Sequence, residues 1–388
     1  MKTVQDIRQR AEEDLLFFAK LVNPGRMYGE VHEELFRWWI RESAKDNQMV
    51  LLPRDHQKSH CAAVRAAWEL TRDPSITILY VSATSDLAEK QLYAIKNILT
   101  SEVYRRYWPE MTNEEEGKRE RWNTNEIIVD HPVRKREGVR DPSIKAAGLT
   151  TNITGFHATH VFLDDLVVPS NAYTEDGRSK VAALYSQLAS IETTGAKEVI
   201  VGTRYHPSDL YATIKEIKEE QFDEEGDVIG FEPVYEVMER VVEKQGVFLW
   251  PREMREDGKM YGFDNKELAR KKAKYVDSTQ FYAQYYNDPN DPSSQRIGRD
   301  KFQYYDQGLL RQERGSWMLK DRKLNVFAAM DFAFSLRKKA DYTAIVVIGV
   351  DAKNQVYVLD IDRFKSDKIV DYYNSLLALH NKWGFRKV

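Results

Sequence analysis

The sequence predicts an α/β protein: a parallel-sheet domain, a helix-rich appendage, and the beginning of a second sheet domain. Three observations predict it. Short apolar runs alternate with helical stretches over residues 49–203, the pattern of a sheet covered on both faces by crossover helices. Residues 206–300 are highly charged and lose the strand-like runs. From residue 325, three apolar runs follow one another with only short turns between them.

The elements can be justified in order. Ile7, Ala11, Leu15, Phe18 and Val22 recur near helical spacing, and Val31, Leu35, Phe36 and Trp39 repeat it after the Asn23-Pro24-Gly25 break. MVLLP (49–53) reads as a buried strand ending in a loop, with a helix from about 58 to 72. ITILYVSA (76–83) is a second strand, with a helix over 85–100. EIIVD (126–130), ATHVFLDD (158–165) and KEVIVGT (197–203) are three more. Residues 206–292 are expected to form a helical lid and linker, with QFDEEGDVIG as a loop and NDPNDPSSQ (287–295) as the connection. NVFAAMDFAFS (325–335), YTAIVVIGV (342–350) and QVYVLDIDRF (355–364) then form an antiparallel meander, followed by a helix over 367–382. The expected domains are therefore 1–205, 206–292 and 293–388.

Composition narrows the class. At about 150 residues per domain, 388 residues suggest two to three domains. A 42% hydrophobic and 31% charged composition can fill a core, which argues against a disordered chain or a small disulfide scaffold. Lys plus Arg is 58 and Asp plus Glu is 61, a net charge of −3, so any grip on nucleic acid must be local. Cys61 is the single cysteine, which excludes an intrachain disulfide and argues against a cysteine-based zinc site. No apolar run approaches the ~18 residues of a membrane span, and the N-terminus lacks the apolar core of a secretory signal. A reducing, cytoplasmic setting without a membrane is expected.

Pro53-Arg54-Asp55-His56-Gln57-Lys58-Ser59 lies between a strand and a helix. A nucleotide-binding loop places its backbone amides around phosphates at such a junction, aided by the helix N-terminus. Lys58 would contact the β- and γ-phosphates and Ser59 would bind Mg²⁺. Leu52 and Gln57 stand where such a loop has glycines, so the backbone must reach the cradle without glycine's φ > 0 freedom or belong to a variant class. A plain strand–helix junction with a surface lysine is the alternative. VFLDD (161–165) ends an apolar strand in paired carboxylates, Asp164 for the Mg²⁺ and Asp165 for the attacking water. Two solvated aspartates at a strand end are the bland reading. In VIVGTRYHPSDL (199–210), Thr203 ends a strand where a hydroxyl can sense the γ-phosphate, and Asp209 or Ser208 can cap the next helix.

Together these motifs resemble the large terminase subunit of tailed bacteriophages, the ATP-driven DNA-packaging motor. PRDHQKS is similar to that family's Arg-containing Walker A, LDDLVV to its Walker B, and GTRYHPSDL to its coupling motif. VSATSDLAEKQL (81–92), GLTTNITGFHATHVFLDD (148–165) and FYAQYYNDP (281–289) also look like segments of it. The resemblance implies a P-loop, ASCE-type ATPase domain with a helical lid, followed by the first part of an RNase H-like nuclease domain. It implies ATP and Mg²⁺ as ligands, with Arg54 stabilising charge on the γ-phosphate and Tyr28 and His32 contacting adenine. A helix packed on the sheet is the alternative for Tyr28 and His32. Arg134, Arg136 and Arg140 are candidates for an arginine acting on a neighbouring subunit's nucleotide, or belong to a solvated face.

For the nuclease half, the resemblance places a first metal-binding acid at Asp331 and a second at Asp341, holding Mg²⁺ or Mn²⁺. Asp360 and Asp362 alternate onto one face of their strand, and Arg337, Lys338 and Lys339 form a basic cluster. The family's later acids fall beyond Val388, so no competent nuclease is expected from these residues alone. Implied partners are double-stranded DNA, a portal protein, a small terminase subunit and further copies in a pentameric ring, in the host cytoplasm at the procapsid portal. Two other readings stand beside this: a metal-dependent DNA nuclease whose N-terminal domain only binds nucleotide or DNA, and a helicase-like ATPase outside packaging.

Overall fold

The computed structural model describes residues 3–223, 225–290, 303–313, 315–333 and 342–387. It divides into two compact units, Met1–Arg296 and Ile297–Val388.

The first unit opens with three helices, α1 (Val4–Glu13), α2 (Leu15–Val22) and α3 (Glu30–Ile40). Then come β1 (Gln48–Leu51), α4 (Lys58–Arg72), β2 (Ile78–Ser82), α5 (Ser85–Thr100), α6 (Glu102–Tyr107), β3 (Glu126–Ile127), α7 (Val133–Arg136), β4 (Ile144–Gly148) and β5 (Ala158–Asp164). Next are α8 (Pro169–Ala172), α9 (Glu175–Leu188), β6 (Glu192–Gly202) and α10 (Leu210–Lys215). The unit ends with the hairpin β7 (Lys218–Phe222) and β8 (Val228–Pro233), then β9 (Glu236–Glu239), β10 (Glu243–Lys244), β11 (Val247–Phe248), β12 (Glu253–Met254), β13 (Met260–Tyr261), α11 (Asn265–Lys272) and α12 (Ser278–Tyr286).

The sheet runs β3-β4-β2-β5-β6-β1-β9. Every pairing in it is parallel except β3 with β4. Alternation sends Val50, Tyr80, Phe162 and Val201 to one face, where they pack with α1 to α5. Met49, Leu51, Val81, Leu163 and Ile200 go to the other, against Leu188, Leu210 and Tyr211. With both faces covered, the strands read as continuous apolar runs rather than alternating ones. On the first face Trp108 stacks on Tyr104 at 4.9 Å and meets Phe18 edge-on at 5.6 Å. Each fully buried side chain of this size contributes about 1.5–3 kcal/mol over leaving it in water.

Because the strands are parallel, their carboxyl ends share one edge, where ligands bind in open α/β sheets. The register pairs Leu51 with Gly202, Val201 with Asp164 and Asp164 with Ser82. This brings the ends of β1, β5 and β6 side by side although they are far apart in sequence.

Residues 206–292 differ from the expected helical lid. Their described residues hold three helices and three hairpins, and β9 joins the main sheet by pairing with β1. High charge density hides these strands: β7 is exposed along its whole length, so it shows no apolar strand pattern. β4 was not foreseen either, because IKAAG is small and short.

The second unit is an antiparallel sheet in sequence order: β14 (Leu310–Glu313), β15 (Ser316–Leu319), β16 (Arg322–Asp331), β17 (Thr343–Val350) and β18 (Val356–Phe364). α13 (Ile369–Trp383) supplies Leu379 and Trp383 to a core with Leu324, Val326, Ile345 and Val347. The meander and helix agree with expectation, and two further strands precede them.

Candidate nucleotide-binding site

The loop between β1 and α4 takes left-handed backbone at two non-glycine residues, Asp55 (φ 67°) and Gln57 (φ 53°). The φ > 0 freedom that the sequence seemed to deny the loop is therefore present, at about 1–2 kcal/mol per residue. Neighbouring groups hold it. Gln57 Nε2 donates to the Met27 carbonyl at 3.0 Å, and its Oε1 accepts from Arg26. Asp55 pairs with Lys271 of α11 at 2.7 Å. The His56 ring lies flat on Phe263, 5.1 Å between centroids. No side chain caps α4 at Gln57, so its first-turn N–H groups have no cap of their own.

His32 is a strut beneath the loop. The Gly29 N–H donates to its Nδ1 at 2.9 Å, so Nε2 carries the proton and donates to the His56 carbonyl at 3.1 Å. Burial lowers both His32 and His56 to about 4, which keeps them uncharged at neutral pH. With 0% of its surface exposed, His32 offers no face to a base, which corrects the adenine role expected of it. Its signal in the sequence, a polar residue on the apolar face of α3, fits a satisfied core histidine. Tyr28 keeps some exposure. Its hydroxyl pairs with His60 Nε2 at 2.9 Å, and it lines a recess of about 360 Å³ with Asn23, Arg26 and Met27.

The paired acids end β5. Ser59 Oγ donates to Asp164 Oδ1 at 2.8 Å, and the Tyr80 hydroxyl donates to Oδ2 at 3.3 Å. Burial, and then the charge of Asp165, push the Asp164 carboxyl up to about 7. Asp165 sits at φ 48°, and its Oδ1 lies 3.2 Å from Lys58 Nζ. Lys58 and Ser59 thus each meet one of the two aspartates. A buried carboxylate poorly stabilised as an anion, beside a serine hydroxyl, fits a hard cation with oxygen ligands.

The end of β6 closes the site. Thr203 Oγ1 donates to the Leu52 carbonyl at 3.3 Å. Asp209 caps α10 through the Ala212 N–H (3.1 Å), accepts from the Tyr205 and His206 N–H groups, and holds Arg204 Nε at 3.0 Å. Pro53 continues the buried run from β1. The Arg54 N–H donates to the Gln284 carbonyl at 2.9 Å, and Arg54 Nη1 donates to the Tyr205 hydroxyl at 3.3 Å and Gln284 Oε1 at 3.2 Å. Asn287 Nδ2 donates to the carbonyls of Leu51 (3.0 Å) and Arg240 (2.8 Å).

Tyr80, Tyr205, Lys271, Gln284 and Asn287 were not foreseen as site residues. Nothing in the FYAQYYNDP pattern says that Gln284 reaches Arg54, 230 positions away, or that Asn287 reaches the Leu51 carbonyl at the end of β1.

Arg134 is not available to a neighbouring subunit. Its guanidinium is buried and donates to the carbonyls of Pro74 (2.8 Å), Ile76 (2.9 Å) and Asp141 (2.6 Å). Arg136 and Arg140 are exposed.

In the second unit, Asp331 is exposed and pairs across the sheet with Ala344, which in turn faces Arg363. Asp360 and Asp362 share the opposite, α13-facing side: Asp360 accepts from Lys382 and Trp383, each at 2.7 Å, and Asp362 from the Ser375 hydroxyl. Asp331 therefore does not meet them. Asp341 and the Arg337-Lys338-Lys339 cluster lie outside the described residues. Among the described residues, no three or more His, Cys, Asp or Glu side chains gather as a metal site.

No family model matches the chain. It is 26% identical over 175 residues to the "Terminase, large subunit" of Enterobacteria phage T3, a match covering 44% of this chain and 28% of that relative's length. Among solved structures, the large terminase of the thermophilic bacteriophage D6E is similar over 92% of this chain and 74% of its own, with 12% identity and a TM-score of 0.41. The HK97 bacteriophage large terminase is similar over 94% of this chain and 70% of its own, with 11% identity and a TM-score of 0.43. The match to the T3 protein bears out the resemblance carried by the motif series: over the matched segment, this chain is similar to a phage large terminase subunit.

Proposed function

We propose that this chain is an ATP hydrolase that drives double-stranded DNA into a viral procapsid. One observation carries the reading: at the carboxyl edge of the sheet, Ser59 meets Asp164 at 2.8 Å while Lys58 meets Asp165 at 3.2 Å. A phosphate-binding lysine and serine, each set against its own carboxylate, are the working parts of a nucleotide hydrolase.

In this reading Lys58 and the first turn of α4 hold the β- and γ-phosphates. Lys58 exchanges Asp165 for the phosphates, and the freed Asp165 carboxylate orients the attacking water. Arg54 supplies positive charge as the γ-phosphate departs. Ser59 and Asp164 would hold a Mg²⁺ ion, whose contribution when bound is to neutralise phosphate charge. Thr203, tied to the Leu52 carbonyl, links the phosphate loop to the end of β6 and so to Arg204 and α10. Tyr28, beside its recess, is the proposed base contact.

The partners belong to the same reading: double-stranded DNA, a portal protein, a small terminase subunit, and a pentameric ring of copies at the procapsid in the host cytoplasm, with Arg136 or Arg140 as the residue reaching a neighbour's nucleotide. These residues alone are not proposed to cut DNA; Asp331 is the described acid at the strand end where the resemblance places the first metal-binding residue of a nuclease using Mg²⁺ or Mn²⁺.

The test is steady-state ATP hydrolysis by the chain and by Lys58→Ala, with and without double-stranded DNA. Hydrolysis that DNA stimulates and Lys58→Ala lowers by about 100-fold or more is the expected result. Equal rates in the two proteins would overturn the assignment.

A further inference from the structure

Arg54 is held by groups that leave its charge intact. Its Nη1 donates to two neutral oxygens, Gln284 Oε1 at 3.2 Å and the Tyr205 hydroxyl at 3.3 Å. A guanidinium has about five N–H donors, so two are engaged and about three remain. Among the described residues, the Nε and Nη2 groups have no hydrogen-bond partner, and the side chain is exposed. A carboxylate in the place of Gln284 would bind roughly twice as strongly and cancel the charge. A neutral amide orients the fork and leaves it free to meet an anion.

Gln284 is itself buried and hydrogen-bonded. It is 6% exposed, on the α12 turn that also buries Phe281 and Tyr285, whose rings stack at 5.0 Å. The Tyr275 hydroxyl donates to the same Oε1 at 3.3 Å. The Gln284 carbonyl accepts the Arg54 N–H at 2.9 Å, so one residue fixes both the backbone and the side chain of Arg54. Just beyond, Asn287 at φ 51° fastens the end of α12 to the Leu51 and Arg240 carbonyls. Tyr205, the second holder of the guanidinium, follows the end of β6 and is fixed through its N–H by Asp209.

We propose that Gln284 is a positioning residue for ATP hydrolysis: it aims the Arg54 guanidinium, together with Tyr205, at the γ-phosphate. The proposal rests on the nucleotide-hydrolase reading above and deepens it. Gln284 acts only through Arg54, so its effect vanishes when Arg54 is removed.

The experiment is a double-mutant cycle in the full chain. Gln284→Met keeps the length and apolar fit of the side chain and removes the acceptor. Expected is a fall in kcat of about 10-fold, within the range that misplacing a catalytic group costs, with KM changed less than about 3-fold. In an Arg54→Ala background, adding Gln284→Met is expected to lower kcat no further. Equal fractional losses in the two backgrounds would overturn the proposal, since a purely structural role acts whether or not Arg54 is present. A crystal structure of Gln284→Met gives an independent reading. The Arg54 guanidinium leaving the Tyr205 hydroxyl supports the proposal, and its staying within hydrogen-bond distance overturns it. If the parent chain hydrolyses no ATP, the function reading falls, and this structural arm alone decides whether Gln284 places Arg54.

Discussion

Ser59 Oγ donates to Asp164 Oδ1 at 2.8 Å, joining the first turn of α4 to the end of β5 across 105 residues of sequence. The bond expresses the sheet order: with β2 and β6 on either side of β5 and β1 beside β6, the start of α4 lies over the β5 terminus. Asp164→Asn keeps the acceptor and the volume but removes the anion. Its ATP hydrolysis should fall about 100-fold or more, while its melting temperature stays within a few degrees of the parent (about 3 °C per kcal/mol for a chain of this size). Steady-state ATPase assays beside thermal denaturation check this, and retained hydrolysis would remove Asp164 from the site.

The three carbonyls served by Arg134 give a stability prediction. Arg134→Ala leaves the Pro74, Ile76 and Asp141 oxygens without their donor and should destabilise the first unit by about 2–4 kcal/mol. Arg136→Ala and Arg140→Ala, at exposed positions, should change stability by less than about 0.5 kcal/mol. Urea denaturation compares the three. A neutral Arg134→Ala would mean that the buried guanidinium is not structural.

Glu198 on β6 makes stability depend on pH. Burial, then the nearby charge of Glu192, raise its carboxyl to about 8. Facing it are Tyr235, whose hydroxyl donates at 2.9 Å, and Tyr185, which bonds to Tyr235 at 2.5 Å. An unfolded glutamate titrates near ~4.3, so between these values the folded chain binds more protons than the unfolded one. The stabilisation is complete below the unfolded value and is lost as pH rises towards 8. Glu198→Gln should therefore show a smaller fall in melting temperature between pH 5 and pH 8.5 than the parent. Parallel curves for the two proteins would contradict the buried, protonated state.

Asn287 combines a left-handed backbone with two buried donations. Asn287→Gly loses the donors but accepts φ > 0 freely, whereas Asn287→Ala loses both advantages. Both should destabilise, with alanine worse by about 1 kcal/mol. Equal effects in chemical denaturation would show that the backbone conformation is unstrained.

The sequence by itself determined the strand–helix alternation of residues 49–203, the bounds of α4 and α5, the β16-to-β18 meander, and the lysine, serine and paired aspartates of the site. Each is a local signal. Apolar runs read as strands because both faces of the sheet are buried, and Lys58-Ser59 and Asp164-Asp165 stand where strands end. Tertiary structure decided what local pattern cannot encode. His32 became a strut because the β1–α4 loop folds onto it, and Arg134 became structural because three carbonyls from two segments converge on it. Gln284 and Asn287 entered the site because α12 and its C-terminal cap hydrogen-bond to Arg54 and to the Leu51 carbonyl, 230 and 236 residues away. The β1–α4 loop reaches its shape without glycine because Arg26, Met27, Lys271 and Phe263 hold Asp55, His56 and Gln57 in place. Non-local hydrogen bonds and packing offset a backbone strain that glycine would have avoided, and the sequence around the loop carries no trace of them.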